Sequence, residues 1–208
     1  MQKWKEDVTN LTDFHVSRCL KPPDFGCIDV AQLHHFSDAS EYAYGTVTYL
    51  LLENKQGVKH CSFVMGKSRV APLKQVPIPR LELTVAVVAV KMDKMLRQEL
   101  QFPLQPSTFW IDSTTVLRYI ASETARFKTF VANRVTLIHE AIKPSQWNYV
   151  GTAENPADQA SRGLKAKTLM QEGTWFNGPK FLLQGEHDWP KQHVQRKESL
   201  KMTQRSRT

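Results

Sequence analysis

The sequence predicts an α/β fold in which helices pack on one mixed β-sheet. Three observations support this: three successive segments with strand character, a long apolar helix after them, and a short apolar strand followed by further helices. Three strands in immediate succession favour an antiparallel meander. The 208 residues, 41% hydrophobic and 23% charged, suit one domain with appendages.

The first half of the chain contains the three strands and a basic segment. The strands are LHHFSDAS (33–40), YAYGTVTYLLLEN (42–54) and VKHCSFVMG (58–66), the last two joined by the turn NKQG. Residues 1–31 show no sustained period and are interpreted as an appendage. Residues 67–80 carry four cations, three prolines and no acid, which predicts a basic loop that cannot be helical.

The second half alternates helices and strands. LELTVAVVAVKMDKMLRQEL (81–100), between two prolines, predicts a buried helix of about five turns. STFWID (107–112) has the unbroken apolar character of a central strand. Two helices, STTVLRYIAS and TFVANRVTLIHEAI, should follow, then a strand QWNYVG and a short helix in NPADQASRG, with Asn155 as its cap and Pro156 in its first position.

Composition limits the classes of partner and compartment. The net charge of +8 suits a polyanionic partner such as nucleic acid, although many basic proteins bind none. No apolar run reaches the roughly 18 residues of a membrane span, and the first residues lack the apolar centre of a signal peptide. Three cysteines cannot form a complete disulfide framework. We therefore expect an intracellular protein, neither secreted nor in a membrane.

Four acids stand at positions where chemistry is expected. Asp38 ends the first strand, Glu82 lies in the first turn of the long helix, Asp112 ends the central strand, and Asp158 lies in NPADQASRG. Asp38, Asp112 and Asp158 could each merely cap a helix or start a turn. Glu82 is harder to explain in this way because its helical neighbours at three and four residues are Val85 and Ala86. A carboxylate on that apolar face needs a cation or a proton.

If the four carboxylates converge, their repulsion must be balanced by hard cations. Oxygen-rich sites of this kind suit Mg²⁺ or Mn²⁺ rather than zinc. Two such ions about 3.5 to 4 Å apart can activate a water and stabilise the leaving oxygen of a phosphodiester. This arrangement predicts a nuclease.

Four motifs of the sequence resemble those of a known family. In order and spacing, HFSDAS, PRLELTVAV, FWIDSTT and NPADQASRG resemble the ribonuclease H domain of retroelements, and the wider match over roughly residues 1–190 resembles the polyprotein of BEL/Pao retrotransposons. The resemblance implies a ribonuclease H-like fold: a five-stranded mixed sheet, three antiparallel strands and two parallel additions, flanked by helices. It also implies a metal site for two Mg²⁺ or Mn²⁺ ions, whose positions are filled by Asp38, Glu82, Asp112 and Asp158.

The same resemblance implies a substrate and partners. The substrate would be the RNA strand of an RNA–DNA hybrid, cut to leave a 3′ hydroxyl and a 5′ phosphate. A reverse transcriptase would lie upstream and an integrase downstream in the parent polyprotein, in a cytoplasmic retroelement particle or in the nucleus. The expected nucleic-acid contacts are Lys67, Arg69, Lys74, Arg80, Ser113 and Arg162.

The resemblance also divides the chain. Residues 1–31 are expected to be the end of a reverse-transcriptase connection region, and 32–165 the ribonuclease H-like domain. Residues 166–190 are expected to form a C-terminal strap toward the integrase region, and 191–208 a disordered basic tail.

Two departures and three alternatives accompany this interpretation. The segment VGTAEN lacks the histidine that cellular ribonucleases H carry before the last aspartate. Residues 113–144 lack the extra basic helix that some relatives use to hold the substrate, so the isolated chain could be weakly active.

The region is also known under a Pao retrotransposon peptidase name, but DAS and DST lack the glycine of aspartic peptidase turns. An integrase is the second alternative, but integrases place their catalytic glutamate after the second aspartate. Here Glu82 comes before Asp112, which does not fit that order. A non-catalytic nucleic-acid-binding remnant is the third alternative.

Overall fold

The sheet has five strands in the order β3-β2-β1-β4-β5. The computed structural model describes residues 2–9, 11, 15–122, 124–172 and 174–190. Pairing is antiparallel between β1 and β2 and between β2 and β3, and parallel between β1 and β4 and between β4 and β5. This confirms the predicted five-stranded mixed sheet. The strands are β1 (Ile28–Ala39), β2 (Ala43–Asn54), β3 (Lys59–Val70), β4 (Thr108–Ile111) and β5 (Trp147–Tyr149).

Seven α-helices are present in the described part of the chain, and none of them is long and apolar enough to cross a membrane. Short 3-10 turns connect several elements, among them Thr152–Glu154 just before α5. The helices are α1 (Gln2–Thr9), α2 (Ile78–Glu99), α3 (Thr114–Ala121), α4 (Thr129–His139), α5 (Ala157–Arg162), α6 (Ala166–Glu172) and α7 (Thr174–Asn177).

Helices cover both faces of the sheet, and the alternation of side chains along the strands sorts residues between them. On one face, α2, α3 and α4 enclose Phe109 and Ile111 of β4. On the other, Trp110 of the same strand packs with Phe36 and with Phe181 of the C-terminal segment. α5 lies against β1 and β2. The sheet is therefore the middle of three layers.

The adjacent His34 and His35 point to opposite faces, as expected for neighbours on a strand. His34 Nδ1 accepts a hydrogen bond of 3.1 Å from Trp110 Nε1 on the α5 side. His35 Nε2 lies 3.0 Å from Asp93 Oδ1 of α2 on the other side. Both histidines are fully buried, and they cannot bind one ion together.

The predicted basic loop at 67–80 is wrong at both ends. β3 continues to Val70 because its residues pair with β2 up to that point. Thr46 pairs with Lys67 and Tyr44 with Arg69. α2 begins at Ile78, three residues earlier than predicted, with a proline in its first turn. Proline is tolerated there because the first amides of a helix have no intrahelical acceptor. As a result Glu82 lies in the second turn of α2 rather than in the first.

Segments near both ends of the described part of the chain contact other elements. β1 starts at Ile28, within the segment interpreted as an appendage, and the Ala166 amide of α6 donates to Asp7 of α1 at 2.9 Å. The Tyr49 hydroxyl of β2 donates to the Trp175 carbonyl at 2.8 Å, which holds α7 against the sheet. The expected basic tail, 191–208, lies outside the described residues. The domain boundaries stay predictions.

Candidate active site

Two of the four acids are brought together by the parallel pairing of β1 and β4. The last pair in this ladder is Ser37 with Ile111, so the next residues, Asp38 and Asp112, lie side by side at the carboxyl ends of the two strands. Their side chains point toward the face covered by α5, because residues alternate along a strand. In open α/β sheets this edge is where ligand crevices form.

Asp38 is the most buried of the four acids, with 4% of its surface exposed. The Ser161 hydroxyl of α5 donates a hydrogen bond to its Oδ2. Burial raises the pKa of Asp38, and the negative charges of Asp112 and Asp158 act in the same direction. The Ser161 hydrogen bond opposes this rise because it favours the ionised form.

Glu82 reaches the same edge from α2. Its Oε2 accepts a hydrogen bond of 2.6 Å from Ser113 Oγ. Ser113 is also the N-cap of α3, where its hydroxyl accepts from the Val116 amide at 3.3 Å. Burial raises the pKa of Glu82, and the charges of Asp112 and Asp38 raise it further.

Asp112 is held by Thr152, whose Oγ1 donates to Asp112 Oδ2 at 2.9 Å. Burial raises the pKa of Asp112 and the charge of Asp158 adds to this, whereas the hydrogen bond from Thr152 opposes it. Three of the four acids therefore have pKa values raised by burial and by neighbouring carboxylates. Perturbation of this kind is typical of functional sites.

Asp158 lies in the first turn of α5 and pairs with the guanidinium of Arg162, one turn later, at 2.7 Å. Asp158 therefore contacts Arg162 and does not serve as the helix cap that the sequence also allowed. The cap function belongs to Asn155, whose Oδ1 accepts from the Ala157 amide at 3.1 Å. Asn155 Nδ2 also donates to the Ser37 carbonyl at 3.1 Å, which ties the start of α5 to the end of β1.

The carboxylates are neighbours, but they do not form a ready-made ligand set. Within the described ranges, no three His, Cys, Asp or Glu side chains are grouped closely enough to hold a metal ion. The acids raise one another's pKa values, although they are not grouped closely enough to hold an ion as they stand. Each acid is oriented toward its own hydroxyl or guanidinium partner. The donor set itself, four carboxylates with hydroxyls beside them, fits a hard divalent cation.

The role of the six expected nucleic-acid contacts stays a prediction, and the structure places them in two kinds of surroundings. Ser113 and Arg162 belong to the acidic site, where each contacts a carboxylate. The other four are exposed. Of these, Lys67 and Arg69 are on β3, Lys74 is in the connection to α2, and Arg80 is in the first turn of α2.

Three polar residues of the site were not foreseen from the sequence: Thr152, Asn155 as a tie to β1, and Ser161. Ser161 contacts Asp38 although 123 residues separate them. No local pattern relates residues so far apart, whereas the spacing of Asp158 and Arg162 by four residues is a recognisable helical pair.

Three comparisons relate the chain to known proteins. None of the curated proteins compared matches it. Among solved structures, the N-terminal RNase H domain of a Mycobacterium tuberculosis protein is 9% identical, with a TM-score of 0.43 over 69% of this chain and 99% of that one. RNase H1 of the archaeon Halobacterium salinarum is 10% identical, with a TM-score of 0.39 over 67% and 97%. The foamy viral protease-reverse transcriptase is 17% identical, with a TM-score of 0.38 over 73% and 29%.

The family comparison identifies the family of the chain, because the matched residues make up more than half of it. Residues 1–113 match the family described as the Pao retrotransposon-like RNaseH-like domain. The matched part contains β1 to β4 and the acids Asp38, Glu82 and Asp112, and the fifth strand completes the sheet order described above. The chain belongs to the Pao retrotransposon-like RNaseH-like domain family and has the ribonuclease H-like fold.

Proposed function

We propose that this domain is a metal-dependent endonuclease that hydrolyses the RNA strand of RNA–DNA hybrids. The observation that carries the proposal is the meeting of carboxylates from β1, α2, β4 and α5 at one edge of the sheet, with raised pKa values for Asp38, Glu82 and Asp112. Proteins rarely concentrate buried like charges without a function for them.

Asp38, Glu82, Asp112 and Asp158 would hold the cations. Two bound Mg²⁺ or Mn²⁺ ions would supply an activated water and would stabilise the leaving oxygen of the phosphodiester. Asp38 and Asp112 lie side by side at the ends of β1 and β4, and Glu82 approaches from α2, so these three residues would supply carboxylate oxygens to the ions. Ser161, Ser113 and Thr152 each fix one oxygen of an acid and thereby set which way its other oxygen points.

Substrate binding is proposed to depend on the positive residues outside this site. Phosphate contacts supply most of the affinity of proteins for nucleic acids, and contact with the 2′-hydroxyl distinguishes RNA from DNA. Lys67, Arg69, Lys74 and Arg80 are exposed and unpaired with carboxylates among the described residues, so they can contact phosphates.

The family supports a proposal for the context of the domain. We propose that a reverse transcriptase precedes it and an integrase follows it in a parent polyprotein. Residues 1–31 would then belong to a connection region and 166–190 to a strap beyond the nuclease domain. Peptidase activity is not proposed, because the five-stranded mixed sheet and the 22-residue α2 do not suit an all-β aspartic peptidase.

The test is incubation of the chain with a labelled RNA–DNA hybrid, in parallel with duplex DNA and single-stranded RNA, in Mg²⁺ or Mn²⁺. Cleavage confined to the RNA strand of the hybrid, with 5′ phosphate ends, is expected. Binding to the hybrid without cleavage would favour a non-catalytic remnant, and equal turnover of all three substrates would contradict the specificity.

A further inference from the structure

A groove with a volume of about 650 Å³ is lined by residues of α2, β3 and α4. The α2 residues that line it recur at intervals of three and four positions, so they share one stripe of the helix. The stripe is about three helical turns long. Its residues are Thr84, Val87, Val88, Lys91, Met92 and Met95.

Much of the groove is apolar, although part of its lining faces solvent. Met92 of α2 is buried, whereas Met95 of α2 and Leu137 of α4 are 39% and 45% exposed. Met65 of β3 also lines the groove. Methionine side chains are flexible and adapt to an apolar partner. Apolar side chains that are gathered in one groove, rather than scattered, indicate a surface that another molecule covers.

The charged residues that line the groove are all positive among those that the structure describes. They are Lys67, Arg69, Lys91 and Arg134. In the described ranges no carboxylate lies within salt-bridge distance of any of the four. β3, which carries two of them, is an edge strand of the sheet. An apolar groove with an unneutralised positive rim is complementary to a ligand that is both apolar and acidic.

This combination favours an acidic protein segment over nucleic acid. Phosphates would use the positive charges but would leave the apolar lining uncovered. An amphipathic helix would cover it with one apolar face, while acids beside that face would meet the rim. The chain itself offers no such segment at its C-terminal end, because residues 191–208 contain six lysines or arginines and one glutamate. The net charge of +8 likewise disfavours a second copy of the chain.

We propose that this groove binds an acidic amphipathic helix of about three turns that belongs to a partner protein. The inference goes beyond the proposed nuclease function and does not depend on it. Lys67 and Arg69 are also expected phosphate contacts, so a bound helix would compete with nucleic acid for these two residues. Lys91 and Met95 are outside that expected set, and they therefore separate the two kinds of ligand.

The experiment measures the binding of designed helical peptides to the unmodified chain by fluorescence anisotropy. The peptides share one leucine face and differ in where glutamates flank it. A matched peptide has lysine in place of every glutamate, and a second control has the glutamates but a central proline that breaks the helix. At least one glutamate peptide should bind, with an affinity that falls as salt is added. Neither control peptide should bind.

Two variants locate the bound peptide. Lys91→Glu should weaken binding roughly fivefold, because it replaces an attractive charge at the rim with a repulsive one. Met95→Lys should weaken binding roughly tenfold, although it adds a positive charge, because apolar contact is lost. Both side chains are exposed, so circular dichroism should show an unchanged fold. The matched control is Lys55→Glu, the same charge reversal in the exposed turn between β2 and β3, which should bind like the unmodified chain.

The same variants are tested with a labelled RNA–DNA hybrid in EDTA. Hybrid binding that falls in Lys91→Glu and holds or rises in Met95→Lys, without binding of any glutamate peptide, would assign the groove to nucleic acid and overturn the proposal. Equal binding of the lysine and glutamate peptides would overturn the charge complementarity. Peptide binding that neither variant weakens would lie elsewhere on the chain and would also overturn the proposal.

Discussion

Gly45 of β2 lies directly beneath Ala160 of α5. A Cβ atom at Gly45 would be 2.7 Å from the Ala160 Cβ and 3.2 Å from its carbonyl carbon and oxygen. Gly45 also pairs with Asp38 across the β1–β2 ladder. The missing side chain therefore lets α5, which carries Asp158, sit against the sheet at the level of Asp38. Two hydroxyls secure this contact: Ser40 donates to the Ser161 carbonyl at 2.9 Å and Ser68 to the Ala160 carbonyl at 2.7 Å.

Gly45→Ala should displace α5 and separate Asp158 from Asp38. We expect a strong loss of hybrid cleavage together with a loss of about 1–3 kcal/mol in the free energy of unfolding, the usual cost of overpacking. Cleavage assays and urea denaturation measure the two effects. The control is Gly151→Ala, where an added Cβ has no atom within 4 Å. Full cleavage by Gly45→Ala would mean that the position of α5 does not matter.

Asp112→Asn should raise stability at neutral pH when no divalent ion is present. The pKa values of Asp38, Glu82 and Asp112 are raised, so the folded state binds more protons than the unfolded state above the ordinary carboxyl pKa of about 4. The favourable contribution of these groups is complete below that pH and is lost as the pH rises through their folded-state pKa values. Removing one charge should reduce this loss.

Denaturation of Asp112→Asn and of the unmodified protein in EDTA at several pH values between 4 and 7 measures this effect. The two curves should converge toward acidic pH and separate toward pH 7, with the variant more stable. A variant that is less stable than the parent at pH 7 would show that Asp112 is stabilising, which contradicts the repulsion described above.

Mg²⁺ or Mn²⁺ should stabilise the folded protein. A ligand that binds only the folded state at 100 times its dissociation constant adds about 2.7 kcal/mol to the free energy of unfolding. Thermal melts with increasing Mg²⁺ should show a rising midpoint that EDTA reverses, and Asp112→Asn should weaken the response. Sodium chloride at matched ionic strength controls for screening. A midpoint that follows ionic strength alone would exclude specific binding.

Asp93 of α2 and His35 of β1 should be important for folding rather than for chemistry. Besides the His35 contact, Asp93 accepts from the Ser107 hydroxyl, and Arg97 Nη1 donates to Ser107 Oγ at 3.2 Å. Since an ionised carboxylate can only accept, His35 Nε2 carries a proton and donates it to Asp93, while His35 Nδ1 lies 2.7 Å from Thr48 Oγ1. Asp93→Ala would leave buried donors unpaired and should cost about 3–5 kcal/mol.

The pH dependence of this pair has the opposite sign to that of the acidic site. Burial alone would raise the pKa of Asp93, but the hydrogen bonds of His35 and Ser107 and nearby positive charge lower it overall. Its contribution is therefore present above pH 4, roughly the unfolded pKa, and is lost as the pH falls through the folded pKa. Asp93→Asn, which keeps an acceptor for His35, should lose less stability than Asp93→Ala and should lack this acidic transition. Equal stabilities of Asp93→Ala and the parent would refute the role.

Much of the fold could be predicted because its signals are local. The apolar run from Val85 to Val90 marks α2 as buried, Asp38 stands at the end of the first predicted strand, and Asp112 directly follows the apolar run of the central strand. The order of the elements then places both acids at one edge of the sheet. The inward orientation of Glu82 follows from helical periodicity alone.

What could not be predicted depends on contacts between distant segments. Lys67 and Arg69 lie in a segment with the composition of a loop, but pairing with β2 makes them part of β3. Ser161 and Thr152 reach their carboxylates only through the final packing of α5 and of the turn before it. Tertiary contacts override local propensity at each of these places.

Single-turnover cleavage of an RNA–DNA hybrid by Asp38→Asn, Glu82→Gln, Asp112→Asn and Asp158→Asn tests the central claim most directly. If the four carboxylates together hold the cations, each variant should keep its fold and lose nearly all of the cleavage seen with the unmodified chain. Retention of full cleavage by any of the four variants would contradict a site built from the meeting of these residues.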